Sequence, residues 1–146
     1  MAGKPTTREM SDAHETFLAE LLDGRRSAGS GNQAKDQMDG RNRRYDQPHA
    51  LAWDGKSTYN GSASVSRDMW RKAVEQSHGE TPMIALRFYN SMVGNRLVSE
   101  RDLVVLDAHD FAEILADARR WREQQEFVET LRENKKKIDL IMDGES

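Results

Sequence analysis

The run MIALRFY at residues 83–89, opened by Pro82, constrains this chain more than any other stretch. A strand that is apolar on both faces must be covered on both, so its sheet needs a layer on each side. RDLVVLDA at 101–108, rich in valine and leucine, supplies a second strand. A third lies within HALAWDGKST, 49–58, where Leu51 and Trp53 alternate with Ala50 and Ala52. Ser66 then caps a helix over RDMWRKAVEQSH, with Met69, Trp70, Ala73 and Val74 apolar. Upstream, Ser11 is expected to cap a first helix that carries Phe17, Leu18, Leu21 and Leu22 on one face and ends at Gly24. With a short strand near Arg26–Ala28, the order is helix, strand, strand, helix, strand, strand, helix. That alternation predicts an α/β fold: a mixed, twisted central sheet with flanking helices.

The remaining segments divide the chain. Residues 1–10 are polar and are expected to be disordered, 11–109 to form the core, and 110–146 to form a C-terminal helical extension. In that extension Ile114, Trp121, Val128 and Met142 recur at multiples of seven, with Ala118, Leu131 and Ile138 beside them. Gln124 and Lys135 interrupt the line. Such a seam packs either on its own domain or against a second subunit. The stretch from Arg25 to Pro48 is poor in aliphatic residues and reads as a long loop, a length that in a compact domain usually carries function.

The 146 residues suit one ordinary domain, and the absence of cysteine excludes disulfides and thiolate metal sites. No apolar run approaches the roughly 20 residues of a membrane span, and the N-terminus lacks a signal-peptide core, so a cytoplasmic protein without membrane contact is expected. Charged residues make up 32% of the chain, yet the net charge is -3, which argues against an indiscriminate polycation. Locally, Arg25, Arg26, Lys35, Arg41, Arg43 and Arg44 outnumber Asp36, Asp39 and Asp46, so the long loop is basic. One basic loop on an otherwise acidic body suits contact with a polyanion on one face.

Chemistry concentrates at Asp54-Gly55-Lys56, where the HALAW strand ends. Residues two apart on a strand share a face, which sets the Asp54 carboxylate beside the Lys56 ammonium. Asp39 lies fifteen residues upstream, within reach of the same sheet edge. Two carboxylates suit Mg²⁺ or Mn²⁺, which prefer oxygen ligands. A divalent ion with a lysine beside it can stabilise the charge that develops on an attacked phosphate. The four histidines, 14, 49, 78 and 109, show no zinc-binding spacing, and no phosphate-cradling glycine motif occurs.

In order and spacing these residues resemble the PD-(D/E)XK nucleases, and within them the archaeal-type and phage Holliday junction resolvases. HETFLAELLDGRR stands for the first helix, SAGSGN for the small-residue loop, and MDGR for the aspartate. WDGKST stands for the acidic-x-lysine strand and TPMIALRFY for the central strand after it. The resemblance covers roughly residues 11–108, and Met38 and Asp54 replace the family's usual proline and glutamate. It implies a restriction-endonuclease-like core over 11–109. It further implies a magnesium- or manganese-dependent endonuclease acting on DNA, branched DNA in particular, as a homodimer in an infected bacterial cytoplasm. Asp39 and Asp54 become the principal metal ligands, the carbonyl of Gly55 a further one, and Lys56 the catalytic lysine. Glu15, with Glu20 as its rival, becomes the helix-one carboxylate, and Asp36 remains an alternative to Asp39.

Under that reading Ser27, Ser30 and Ser57 contact the DNA backbone or the metal site, and Arg41, Arg43 and Arg44 clamp phosphates. Arg67 and Lys72 on the second helix are further DNA contacts, whereas Trp53 is expected in the core. Two alternatives stay open. One is an endonuclease with a different DNA substrate: site-specific, nonspecific or assisting DNA packaging. The other is a DNA- or protein-binding module on a nuclease fold that does not cleave.

Overall fold

A computed structural model describes residues 5–27, 38–42, 49–93 and 96–144, and the side chains of all of these but 91–97. The elements run α1 (Thr7–Leu21), β1 (Arg25–Arg26), β2 (Gly40–Arg41), β3 (Leu51–Thr58), α2 (Arg67–Gln76), β4 (Thr81–Val93), β5 (Arg96–Val105) and α3 (Ala108–Gly144). The expected α/β class is present, with the five strands in one open mixed sheet in chain order. β3 and β4 run parallel, while the other neighbours are antiparallel. A parallel pair needs a crossover, and α2 provides it.

The two faces of β3 follow from its alternation. Trp53 packs with Leu18 of α1 and with Met83 and Ala85 of β4, with Phe17 and Leu22 at the margin. Ala52 faces the other way, to Met38, Ala73 of α2, Ile84 and Leu86. β4 is thus covered on both faces over Met83–Leu86, as its apolar run there requires. Arg87, the charge within that run, ion-pairs Asp102 on β5 at 3.1 Å and lies 4.1 Å from the centre of the Phe17 ring. The Tyr89 hydroxyl donates to the Met10 carbonyl at 3.3 Å, so β4 holds α1 at two points.

Helix boundaries differ from expectation at the N-terminus. Thr6, not Ser11, caps α1: its hydroxyl accepts from the Glu9 N–H while the Glu9 carboxylate accepts from the Thr6 N–H. Residues 5–10, expected to be disordered, therefore start the helix, and Pro5 and Met10 are buried. The inward stripe of α1 is Met10, His14 and Leu18, whereas Leu21 is 64% exposed. At the far end Gly24 N–H bonds Ala19 O and Asp23 N–H bonds Glu20 O, with Asp23 in the left-handed conformation at φ 52. Gly24 is needed for another reason, because a Cβ there would stand 2.3 Å from the Trp53 ring. α2 begins at Ser66 as expected, its hydroxyl accepting from Met69 N–H at 3.2 Å.

The chain divides into two units, Met1–Asp107 and Ala108–Ser146. Within the second, α3 is one unbroken helix of 37 residues, and none of its described side chains is buried. Among the described residues no helix is long and apolar enough to cross a membrane.

Candidate functional site

Asp39 immediately precedes β2 and is fixed by its backbone on both sides. Its N–H donates to Trp53 O at 2.9 Å, and its carbonyl accepts from Ser27 N–H at 2.8 Å. The carboxylate then turns onto the end of β3, where Oδ2 accepts from the Gly55 N–H at 2.7 Å. β2 has ended at this height, so the Gly55 amide meets a side chain instead of a partner strand. In an extended strand a residue's N–H and C=O project to the same edge, which directs the Gly55 carbonyl to this side too.

Asp54 and Lys56 lie on the α2 face of β3, in register with Ile84 and Leu86 of β4, and Lys56 is exposed. The Asp39 carboxyl is pushed up to about 7, first by burial and then by the neighbouring Asp54 carboxylate. The Gly55 N–H and, more weakly, Arg26 pull it back down. Two carboxylates therefore adjoin each other with little compensating charge, an arrangement that can share a proton or hold a cation.

Glu15 of α1 lies within electrostatic range of Asp39, and burial raises its carboxyl despite a hydrogen bond from Arg26. The same guanidinium reaches Asp12 at 3.2 Å. Arg26, given no site role by the sequence, is thus the cation that β1 brings to Glu15 and Asp12 of α1, within electrostatic range of Asp39. Its rival helix-one carboxylate, Glu20, is exposed. His14 was passed over as well. It is 2% exposed, and a Cβ on Gly55 would lie 3.2 Å from its Nδ1 and 3.4 Å from Asp39 Oδ2. Burial and then the Arg87 charge lower its pKa to about 4, against the opposing pull of Asp102. The signal that finds it is spacing: Met10, His14 and Leu18 recur every four residues along one helix face.

The other expected site residues are distributed differently. Arg41, expected to clamp phosphate, instead binds the end of α2: Nη1 donates to Ser77 O and to Glu80 Oε2, both at 3.0 Å, and Nη2 to Gln76 O at 2.6 Å. A helix C-terminus presents unpaired carbonyls and partial negative charge, and a guanidinium answers both. Ser27 borders the site through its backbone. Ser57 shares the Gly55 face of β3, opposite Asp54 and Lys56. Arg67 and Lys72 are exposed on α2. Arg67 also lines a hollow of about 340 Å³ with Val65, Trp70, Arg71 and Val105. Trp53 is fully buried, as expected, and Gly24 and Gly40 make room for its ring rather than for a ligand. Ser30, Asp36, Arg43 and Arg44 lie outside the described residues.

Among the described residues, no three histidine, aspartate or glutamate side chains converge as a metal-ligand set. Asp39 and Asp54 stand as a pair, with Glu15 engaged by Arg26. No protein-family model matches the chain, and no curated protein is similar to it.

Proposed function

We propose that this protein is a divalent-metal-dependent endonuclease that hydrolyses DNA phosphodiesters, built on a restriction-endonuclease-like core. The observation that carries the reading is the Asp39 carboxylate, held by the Gly55 N–H at 2.7 Å beside Asp54. Lys56 follows on the same strand face as Asp54. Asp39, Asp54 and the Gly55 carbonyl are oxygen donors, of the kind that Mg²⁺ or Mn²⁺ takes, and would hold the ion. When bound, it supplies positive charge that offsets the negative charge growing on the attacked phosphate.

The chain's own groups have separate tasks. The Gly55 N–H orients Asp39 and keeps one of its oxygens occupied, leaving the other for the ion. Lys56, exposed at the strand end, offers its ammonium to a phosphate oxygen. Arg26 fixes Glu15 near Asp39 and adds positive charge where a DNA backbone would pass. Branched DNA is the proposed substrate. Resolving a four-way junction takes two cuts, which two copies of the chain would make.

One observation favours a second reading. With Glu15 engaged by Arg26, two carboxylates remain for an ion, a set that also suits a DNA-binding module that does not cut. Cleavage of a labelled four-way junction beside matched duplex and single strand, with and without Mg²⁺ or Mn²⁺, separates the two. The enzyme reading expects metal-dependent cleavage of the junction, lost with Asp54→Asn and reduced about 100-fold or more with Lys56→Ala, while both variants still bind. Intact DNA in every lane would leave binding alone. Duplex cut as fast as junction would remove the resolvase label and keep the nuclease.

A further inference from the structure

β3 stops at Thr58, whose hydroxyl accepts the Asn60 N–H at 3.0 Å and turns the chain off the sheet. β4 and β5 extend beyond that level, as far as the pair Val93 and Arg96. A hollow of about 380 Å³ lies there, outside the carboxyl end of β3, where ligands of open α/β sheets commonly sit. Its size is at the low end for small-ligand pockets. The ladder is irregular at the same height. Phe88 pairs with Arg101 and Tyr89 with Ser99, so the register steps over Glu100. Ser91 pairs with Val98, so it steps over Asn90 as well. Both skipped residues line the hollow. A bulge re-aims the side chain it displaces, and bulges gather beside functional sites.

The lining has two characters. Tyr59 and Phe88, both half-buried, present aromatic surface. Asn60, Asn90, Glu100 and Arg101 are exposed around them and supply hydrogen-bond donors and acceptors. Among the described residues neither Glu100 nor Arg101 takes part in an ion pair. A flat ring with polar edges answers both characters, and a nucleobase is such a ring. Guanine fits the two charges best. Its amino hydrogens suit a carboxylate, and its O6 and N7 suit a guanidinium.

Position adds a further argument. Thr58 is in register with Phe88, and Lys56 is the preceding residue on the same face of β3. That step is about 7 Å along the strand, or roughly two nucleotides at about 3.4 Å each. We propose that the hollow receives an unstacked base, guanine above the others, from the DNA strand that passes Lys56. The inference rests on the nuclease reading for the path of that strand. To that reading it adds a substrate feature, an unpaired nucleotide close to the cut, which branched DNA supplies more cheaply than intact duplex.

Fluorescence anisotropy of a labelled oligothymidine strand, with and without one central guanine, tests it in EDTA, where nothing is cut. The guanine strand should bind about tenfold tighter. Glu100→Gln should erase that preference and leave the plain strand's affinity unchanged. Tyr59→Ala should weaken both strands, with far-UV circular dichroism checking that the fold persists. Equal binding of the two strands by the wild type would overturn the inference, as would a preference that survives Glu100→Gln. So would displacement of the guanine strand by an equal concentration of deoxyguanosine monophosphate, which would make the occupant a free nucleotide. The junction assay is independent of these results. Cutting without base preference removes the pocket alone, and base preference without cutting removes the nuclease alone.

Discussion

Gly40 lies against the indole of Trp53, so close that a Cβ on residue 40 would stand 2.3 Å from Cε2 of the ring. Trp53 cannot move aside, because Leu18, Met83 and Ala85 pack around it and it has no exposed surface. Gly40→Ala should therefore destabilise the core unit by about 3 kcal/mol, the cost of forcing an extra group into a packed interior. Chemical denaturation measures it. An unchanged midpoint would mean that the β2 backbone can back away from the ring. Because Gly40 directly follows Asp39, the same substitution should also disturb the Asp39–Gly55 link.

The pH dependence of stability should contain two opposed contributions. Asp39, raised to about 7 from an ordinary 3.8, stabilises the fold at acid pH and loses that contribution as pH climbs through about 7. His14, lowered to about 4 from 6.5, contributes above its ordinary value and loses that contribution as pH falls toward about 4. Between pH 4 and 6.5 the two slopes run against each other. Thermal unfolding of Asp39→Asn should thus show stability rising with pH across this window more steeply than in the wild type. His14→Gln should show it falling from pH 4 to 7. Parallel profiles for all three proteins would mean that neither group is perturbed by its surroundings.

Adding Mg²⁺ or Mn²⁺ at neutral pH should raise the melting temperature of the wild type and leave that of Asp39→Asn unchanged. A cation that binds the ionised pair offsets the burial and, after it, the Asp54 repulsion that hold the Asp39 carboxyl up, and binding to the folded state alone stabilises it by mass action. Equal shifts in both proteins would place the ion elsewhere.

Arg41 and Arg26 should separate structure from site. Arg41→Ala removes the hydrogen bonds to Gln76 O and Ser77 O at the end of α2 and the ion pair with the Glu80 carboxylate, which is 10% exposed. A loss of about 2 kcal/mol of stability is expected. Arg26→Ala breaks a more exposed cluster and should cost less stability while weakening DNA binding. Comparing denaturation midpoints with DNA affinities checks this, and the reverse ranking would reassign the two arginines.

The parts of the fold legible in the sequence are those whose own pattern specifies them. β3, β4 and β5 carry alternating or continuous apolar runs, and α2 carries its cap and stripe. β2 is two residues long, a glycine and an arginine. It exists only because β3 offers it a partner, and no local pattern reports that. The start of α1 was legible in Thr6-Thr-Arg-Glu9, a reciprocal cap that outranks the single serine at 11. At the candidate site, strand alternation was enough to pair Asp54 with Lys56. Arg26 is not legible, because its role depends on which stripe of α1 turns inward, and the four-residue spacing that marks His14 competes with a second stripe. The leucine-rich stripe looked the better candidate, yet Leu21 points outward and His14 inward. Arg41 resembled a cation awaiting phosphate because its partners lie 35 to 39 residues away.

The sheet order also bears on how the chain is built during synthesis. β1 pairs with β2 and β2 with β3, both antiparallel and in sequence order, so each of these pairings closes a short span of chain. β4 must wait for α2, since its parallel partner β3 lies a full crossover behind it. Until β4 arrives, Ala52 and Trp53 keep only the cover that α1 and residues before β3 can give. Arg41 is the hand-over point between these stages. It belongs to the strands made first, and its partners Gln76, Ser77 and Glu80 are synthesised just ahead of β4. A nascent chain that has emerged through β3 but not through β4 would have Asp39 and Gly55 free to join while the β4 edge of β3 stays open to chaperones.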